Sequence, residues 1–199
     1  MVSKELEALL DKVSLKDIPA ILHLLPEAEQ TKLLEDLELL GKLKTKEGAQ
    51  DKFMHFVKQV WPNFINGAHH EKMAAAFERV ASGEVKRLII NMPPRHTKSE
   101  FASYLLPAWF LGKFPSKKVI QTSHTAELAV GFGRKVRNLV GSEQYAKIFP
   151  NVTLRSDSKA AGRWSTSGNG EYFAIGVGGT VTGKGADLLI IDDPHSEQE

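Results

Sequence analysis

Arg87-Leu88-Ile89-Ile90-Asn91-Met92-Pro93-Pro94-Arg95-His96-Thr97-Lys98-Ser99 is the stretch on which the fold turns. Its first six residues make a short apolar run with a charged approach, stopped by two prolines, which is the pattern of a strand buried in a parallel sheet. A helical pattern follows from Lys98 to about residue 111. Lys118-Val119-Ile120-Gln121-Thr122-Ser123 then reads as a second strand and 126–140 as a second long helix, in βαβα order. Further on, the sequence predicts a strand near 172–176, a glycine-rich turn, and a last apolar strand at 188–191 ending in Asp192-Asp193. Such alternation predicts an α/β fold, an open and mostly parallel sheet flanked by helices, with ligands at the carboxyl ends of its strands.

Upstream, residues 1–48 are rich in Leu, Glu and Lys, with apolar positions at helical spacing at Leu6, Leu9, Leu10 and Val13 and again at Leu33, Leu34, Leu37 and Leu40. Pro19 and Pro26 divide this helical prefix, Ser14 is placed to cap a helix, and Gly41 with the lysine-rich 42–46 reads as a stop and a linker. Two further helices are expected at 49–60 and 69–81. The expected division is a prefix, 1–48, and an α/β domain, 49–199.

The chain has 199 residues, 42% hydrophobic and 25% charged, enough to bury a core in the range of one ordinary domain. No run approaches the roughly 18 apolar residues of a membrane helix, and the acidic N-terminus is unlike a secretion signal, so a soluble intracellular protein is expected. With no cysteine, disulfides and thiolate metal sites are excluded. His69 and His70 are adjacent, a spacing that points them in different directions on a helix rather than at one ion. The net charge is +2, but residues 1–48 hold 7 Lys against 10 acids, leaving 19 basic against 14 acidic residues in the remainder. That mild excess permits nucleic-acid binding, more so if several copies pool their patches, without proving it.

The segment from Met92 to Ser99 has the setting of a phosphate-binding loop. Such a loop needs backbone N–H groups curled around phosphates, a lysine for the β and γ oxygens, and a hydroxyl for magnesium, all at a helix N-terminus. Lys98 and Ser99 supply the last two, whereas Met92 and Thr97 stand where glycines are usual. The other reading of the same residues is a turn and a helix cap, with Thr97 or Ser99 capping and Glu100 adding first-turn charge. Asp187-Leu188-Leu189-Ile190-Ile191-Asp192-Asp193-Pro194 is the second half of the pattern. An apolar strand delivers carboxylates to its end, where Asp192 would hold magnesium beside Ser99 and a neighbouring acid would orient or deprotonate the attacking water. Taken alone, it is also a strand ending in an Asp-Asp-Pro turn.

Three blocks in order, 88–99, Tyr145-Ala146-Lys147-Ile148-Phe149-Pro150, and 178–194, resemble the large terminase subunit of tailed bacteriophages. The likeness runs from about Phe53 to Pro194. It implies a P-loop ATPase of the additional-strand, catalytic-glutamate class, with Walker A and Walker B motifs, that uses ATP and Mg2+ to drive viral double-stranded DNA into a capsid. Implied partners are DNA, a portal protein and a small terminase subunit, with a homo-oligomeric ring when assembled and a monomer for this piece. The implied location is the cytoplasm of an infected bacterial host. Residues 49–199 are expected to be that domain truncated at its C-terminal end, its coupling motif and nuclease domain absent, so that hydrolysis is weak or lost.

Carried over position by position, Pro93, Pro94, Arg95, His96 and Thr97 line the nucleotide, Lys98 binds its phosphates, and Ser99 and Asp192 serve magnesium. Arg95 is expected to stabilise or sense the γ-phosphate, unless it pairs with Glu100 or Asp193. The family usually has glutamate after the magnesium aspartate; here Asp193 is one methylene shorter, so Asp193 and Glu197 are both candidates to position the water, with His195 a lesser one. Trp61, Phe64 and His70 lie where relatives place adenine contacts, or else are core. Arg134, Arg137, Arg155 and Arg163 are candidates to reach a neighbouring subunit. Eight of the sixteen glycines fall between Gly162 and Gly185, and Lys184 among them reads as a DNA contact or a plain loop residue. Two other readings stay open: another P-loop ATPase such as a helicase-like motor, and a non-hydrolysing DNA-binding or assembly module.

Overall fold

The computed structural model describes residues 26–195 together with Leu22. Ser14, Pro19 and Glu197 lie outside the described residues. The chain divides into two compact units, Met1–Glu47 and Gly48–Glu199.

In the first unit the described element is the larger part of helix α1 (Glu27–Asp51). The expected stop at Gly41 and linker at 42–46 are corrected here: the helix runs straight through them. One glycine costs a helix only about 1 kcal/mol relative to alanine, and the Leu, Glu and Lys around it are strong helix formers. Thr45 Oγ1 also donates back to the Gly41 carbonyl at 2.8 Å.

In the second unit, α2 (Phe53–Val60) and α3 (Ala68–Ala81) precede a helix that starts near Lys98, passes through a π-helical segment (Glu100–Leu105) and continues as α4 (Leu106–Lys113). The π turn has a sequence cause. Pro107 has no N–H to give to the carbonyl of Ser103, and its ring crowds that carbonyl, so the backbone widens before it; Leu106 N–H reaches back five residues to Phe101. After β1 (Lys118–Ser123) come α5 (Ala126–Val140) and α6 (Glu143–Ile148), then β2 (Leu154–Ala160), β3 (Arg163–Thr166), β4 (Glu171–Gly176) and β5 (Leu188–Asp192). Side-chain caps start two of these helices: Thr125 accepts from Leu128 N–H and Ser142 from Tyr145 N–H, both at 3.2 Å.

The sheet order is β2-β3-β4-β1-β5. β1 lies between β4 and β5 and is parallel to both, whereas β2-β3 and β3-β4 are antiparallel. The expected mostly parallel sheet is therefore a mixed one. The short returns at 161–162 and 167–170 are long enough only for hairpins, while parallel neighbours need the longer crossovers.

The strand expected at 87–92 does not form. These residues have no regular secondary structure and pair with no strand among the described residues. Ile90 and Met92 pack against the core, Leu88 is exposed, and Ile89 is 85% exposed. β1 is paired on both sides, and the apolar run lies outside the ladder although β5 ends the sheet.

Register fixes the two faces of the sheet. Val119, Gln121 and Ser123 of β1 share a face with Tyr172 and Ala174 of β4 and with Leu188, Ile190 and Asp192 of β5. All of these are buried, and α5 and the π segment contact this side. Trp164 and Tyr172 stack there, centroids 5.0 Å apart, and Trp164 Nε1–H donates to the Gly133 carbonyl at 3.2 Å. Gly133 permits that approach, since a Cβ there would sit 2.5 Å from the Ala161 carbonyl oxygen. On the other face Leu189 and Ile191 are more than half exposed, so the expected covering of both faces by helices is not seen there among the described residues.

Candidate functional site

The carboxyl end of β5 and the loop before the π segment meet. Lys98 Nζ lies 2.6 Å from Asp193 Oδ1 and 3.9 Å from Asp192 Oδ1. Ninety-odd residues of sequence separate the lysine from these acids, so only the tertiary fold brings them together. Asp192 is buried at the end of its strand, and Asp193 is exposed. The Asp193 carbonyl accepts from His124 N–H at 3.1 Å, which carries the β1-β5 pairing one step beyond the strands.

The loop itself is conformationally unusual. Arg95 and Thr97 have φ of 62°, and Asp193 across from them has φ of 44°. A left-handed backbone at a residue other than glycine costs about 1–2 kcal/mol. Thr97 thus adopts, with a side chain, a conformation ordinarily left to glycine. Part of the reason is visible. His70, buried in α3, accepts from Gly67 N–H through Nδ1 at 2.9 Å, so its proton sits on Nε2, which contacts Thr97 Oγ1 at 2.7 Å. Thr97 Oγ1 in turn donates to the His96 carbonyl at 2.6 Å, and His96 Nδ1 lies 2.9 Å from the Pro94 carbonyl. Burial, with His69 beside it, holds the His70 imidazole below its usual pKa, which favours this neutral tautomer.

Behind the loop, aromatic rings form a wall. His70 lies 4.7 Å from Phe64 and 4.9 Å from Phe101, and Phe64 lies 5.1 Å from Trp61. Trp61 and Phe64 are half-buried against the core. Both ring nitrogens of His70 are occupied by Gly67 and Thr97, so in this structure His70 braces the loop and offers no free edge to a base.

Pro93, Pro94, Arg95 and His96 are exposed at the loop tip. Arg95 pairs with neither of the acids it was matched to: Glu100 is taken by Lys135 at 2.6 Å, and Asp193 by Lys98. Ser99, partly buried, follows in the first helical turn. Of the arginine candidates, Arg134 and Arg163 are exposed, Arg137 Nη2 donates to Asn138 at 3.1 Å, and Arg155 pairs with Asp157 at 2.7 Å. Lys184 Nζ lies 4.1 Å from the ring centroid of the chain's own Phe173.

One side chain in contact with these acids escaped the sequence reading. Ser103, fully buried in the π segment, donates from Oγ to Asp192 Oδ2 at 2.8 Å. Its spacing of four from Ser99 was the available signal, because such residues share a helix face.

Among the described residues no cluster of three or more His, Asp or Glu could hold a metal by itself, so an ion here would need ligands from a nucleotide or water. Asp192 supplies an anionic oxygen, Oδ1, that Ser103 leaves unbound, and Ser99 a hydroxyl; such hard oxygen donors, few in number, are what Mg2+ takes from a protein while keeping several waters. Compared with known proteins, the chain matches no family model, no curated protein and no solved structure.

Proposed function

We propose that this chain binds and hydrolyses Mg-ATP between the 93–99 loop and the end of β5, as the motor core that drives viral DNA into a capsid. One observation carries the nucleotide reading: Lys98 sits within reach of both Asp192 and Asp193 at the start of a helix, beneath a loop held in left-handed conformations. The DNA-packaging reading, with its terminase-type P-loop fold, ring assembly, DNA, portal and small-subunit partners and bacterial cytoplasm, rests on the likeness of the three sequence blocks.

The Lys98 ammonium is paired with Asp193. A triphosphate would compete for it, and its movement to the phosphate oxygens would release the Asp193 carboxylate to orient water. Arg95, exposed and paired with neither Glu100 nor Asp193, would swing to the γ-phosphate, where a guanidinium stabilises charge that spreads over the equatorial oxygens. Ser99 and Asp192 would hold the ion. When bound, Mg2+ neutralises charge on the β and γ oxygens.

Binding without turnover is a second reading, favoured by the engagement of Asp193 with Lys98. Two assays separate the readings. Mg-ATP at about 100 times its Kd should stabilise the protein by roughly 2.7 kcal/mol, read as a rise in Tm, and Lys98→Ala should abolish the gain. Release of inorganic phosphate that disappears in Asp193→Asn supports hydrolysis, and stabilisation without release supports binding alone. An unchanged Tm in millimolar Mg-ATP defeats both.

A further inference from the structure

We infer that Ser103 is a positioning residue for the magnesium carboxylate: its hydroxyl fixes Asp192 so that one oxygen, Oδ1, faces the phosphate loop. The inference rests on the nucleotide reading above.

The helix that follows the loop is buried on both sides. Phe101 enters the aromatic wall with Phe53, Phe64 and His70, and Ser103 faces β5. A serine with no exposure stands here beside the buried Phe101, Leu105 and Leu106. Most buried hydroxyls are hydrogen-bonded, and this one finds the carboxylate at the end of β5.

The bond is selective between the two oxygens. Oδ2 accepts from Ser103 at 2.8 Å, while Oδ1 is the oxygen 3.9 Å from Lys98 Nζ. A carboxylate free to rotate would offer either oxygen, or both; one pinned by a charge-assisted hydrogen bond presents one. Outer partners of this kind orient metal ligands, and their loss commonly lowers metal affinity 10- to 100-fold. The π turn has a part in this. By widening the helix ahead of Pro107 it sets where Ser103 projects, and π turns recur at functional sites.

The neighbouring strand supplies a matched control. Ser123 stands opposite Asp192 in the register of β1 and β5 and is just as inaccessible, but its hydroxyl has no hydrogen-bond partner among the described residues. Removing it deletes a buried serine that makes no hydrogen bond to Asp192.

The test is calorimetric binding of ATP to the full chain, in Mg2+ and in EDTA, for wild type, Ser103→Ala, Ser103→Cys and Ser123→Ala. The expected result is that Ser103→Ala loses roughly tenfold of its affinity in Mg2+ and none in EDTA. Ser103→Cys, with a weak donor, should fall between Ser103→Ala and wild type and gives the answer if the alanine variant fails to fold. Ser123→Ala should match wild type in both conditions. Equal losses in Mg2+ and EDTA would mean that Ser103 merely supports the loop, and no loss in either would mean that it does nothing for the ion; each overturns the inference while leaving the nucleotide site standing. A wild-type chain that gains nothing from Mg2+ overturns the nucleotide reading and this inference together.

Discussion

Residues 87–92 and 188–192 are nearly the same string in chemical terms: a short aliphatic run entered from a charged residue and left through a polar, proline-containing turn. One is a sheet strand and the other is not. β5 buries Leu188, Ile190 and Asp192 on one face and pairs along its length with β1, whereas Ile89 points into solvent and the run around it has no ladder partner. The difference lies in their neighbours, not in their own residues. Apolar content makes a segment eligible for a sheet; whether it pairs is decided by the rest of the fold. Yet each run delivers its polar end to the same spot, and Lys98 meets Asp192 and Asp193 there.

The sharpest way to break the comparison is at matched isoleucines. Ile190→Ala removes a buried side chain from the core and should cost about 3 kcal/mol in denaturant unfolding. If it costs no more than an exposed residue, β5 is not the structural strand described here. Arg95→Gly acts on the loop that follows the unpaired run. Relief of the left-handed backbone outweighs the entropy of the added glycine, a net stabilisation of about 0.5 kcal/mol in the ligand-free protein, and the same change should depress phosphate release. A destabilised Arg95→Gly would mean that the side chain makes contacts worth more than the strain.

The loop half of the pair should also carry a pH dependence through His70. Its neutral form is favoured in the fold by burial and by His69, with Glu71 acting the other way, so its folded pKa lies below the unfolded value of about 6.5. The unfolded chain then binds more protons in the interval between the two values, and stability rises with pH across it. That contribution is complete above about pH 6.5 and is lost as pH falls through the folded value. Chemical denaturation from pH 5 to 8 should show the slope in wild type and a flatter one in His70→Gln. At the bottom of the scale, Ile89→Ser should stay within about 0.5 kcal/mol of wild type. A cost near that of Ile190→Ala would show that the run has a partner after all.

Much of the secondary structure could be read from local patterns. β1 and α5 span the expected ranges, and β4 and β5 differ from theirs by a residue at one end. Such segments carry their own period, boundary residues and caps, as Thr125 does for α5. The misread segments are those decided elsewhere in the chain. Gly41 looks like a stop until the helix formers around it outweigh it, and Arg87 to Met92 has the pattern of a strand but lies outside the ladder. The hairpin of β2 and β3 went unread because its polar residues, among them Arg155, Asp157 and Lys159, show no apolar alternation.

The site was legible in the same measure. Lys98, Asp192 and Asp193 could be picked out because a lysine-serine loop and an acidic strand end are chemically distinctive in their settings. The tie from His70 to Thr97 spans 27 residues and that from Ser103 to Asp192 spans 89, and no local pattern encodes a contact of that kind. His70 was recognisable as a residue of interest, but its part in bracing Thr97 could only be read from the fold.

A crystal structure with a non-hydrolysable ATP analogue and Mg2+ bears most directly on whether Lys98 and Asp192 share one ligand. The ammonium of Lys98 should have left Asp193 for the β and γ oxygens, with the ion lodged beside Ser99 and Oδ1 of Asp192. Nucleotide bound elsewhere on the chain, or a Lys98 still paired with Asp193 beside a bound triphosphate, would refute the site.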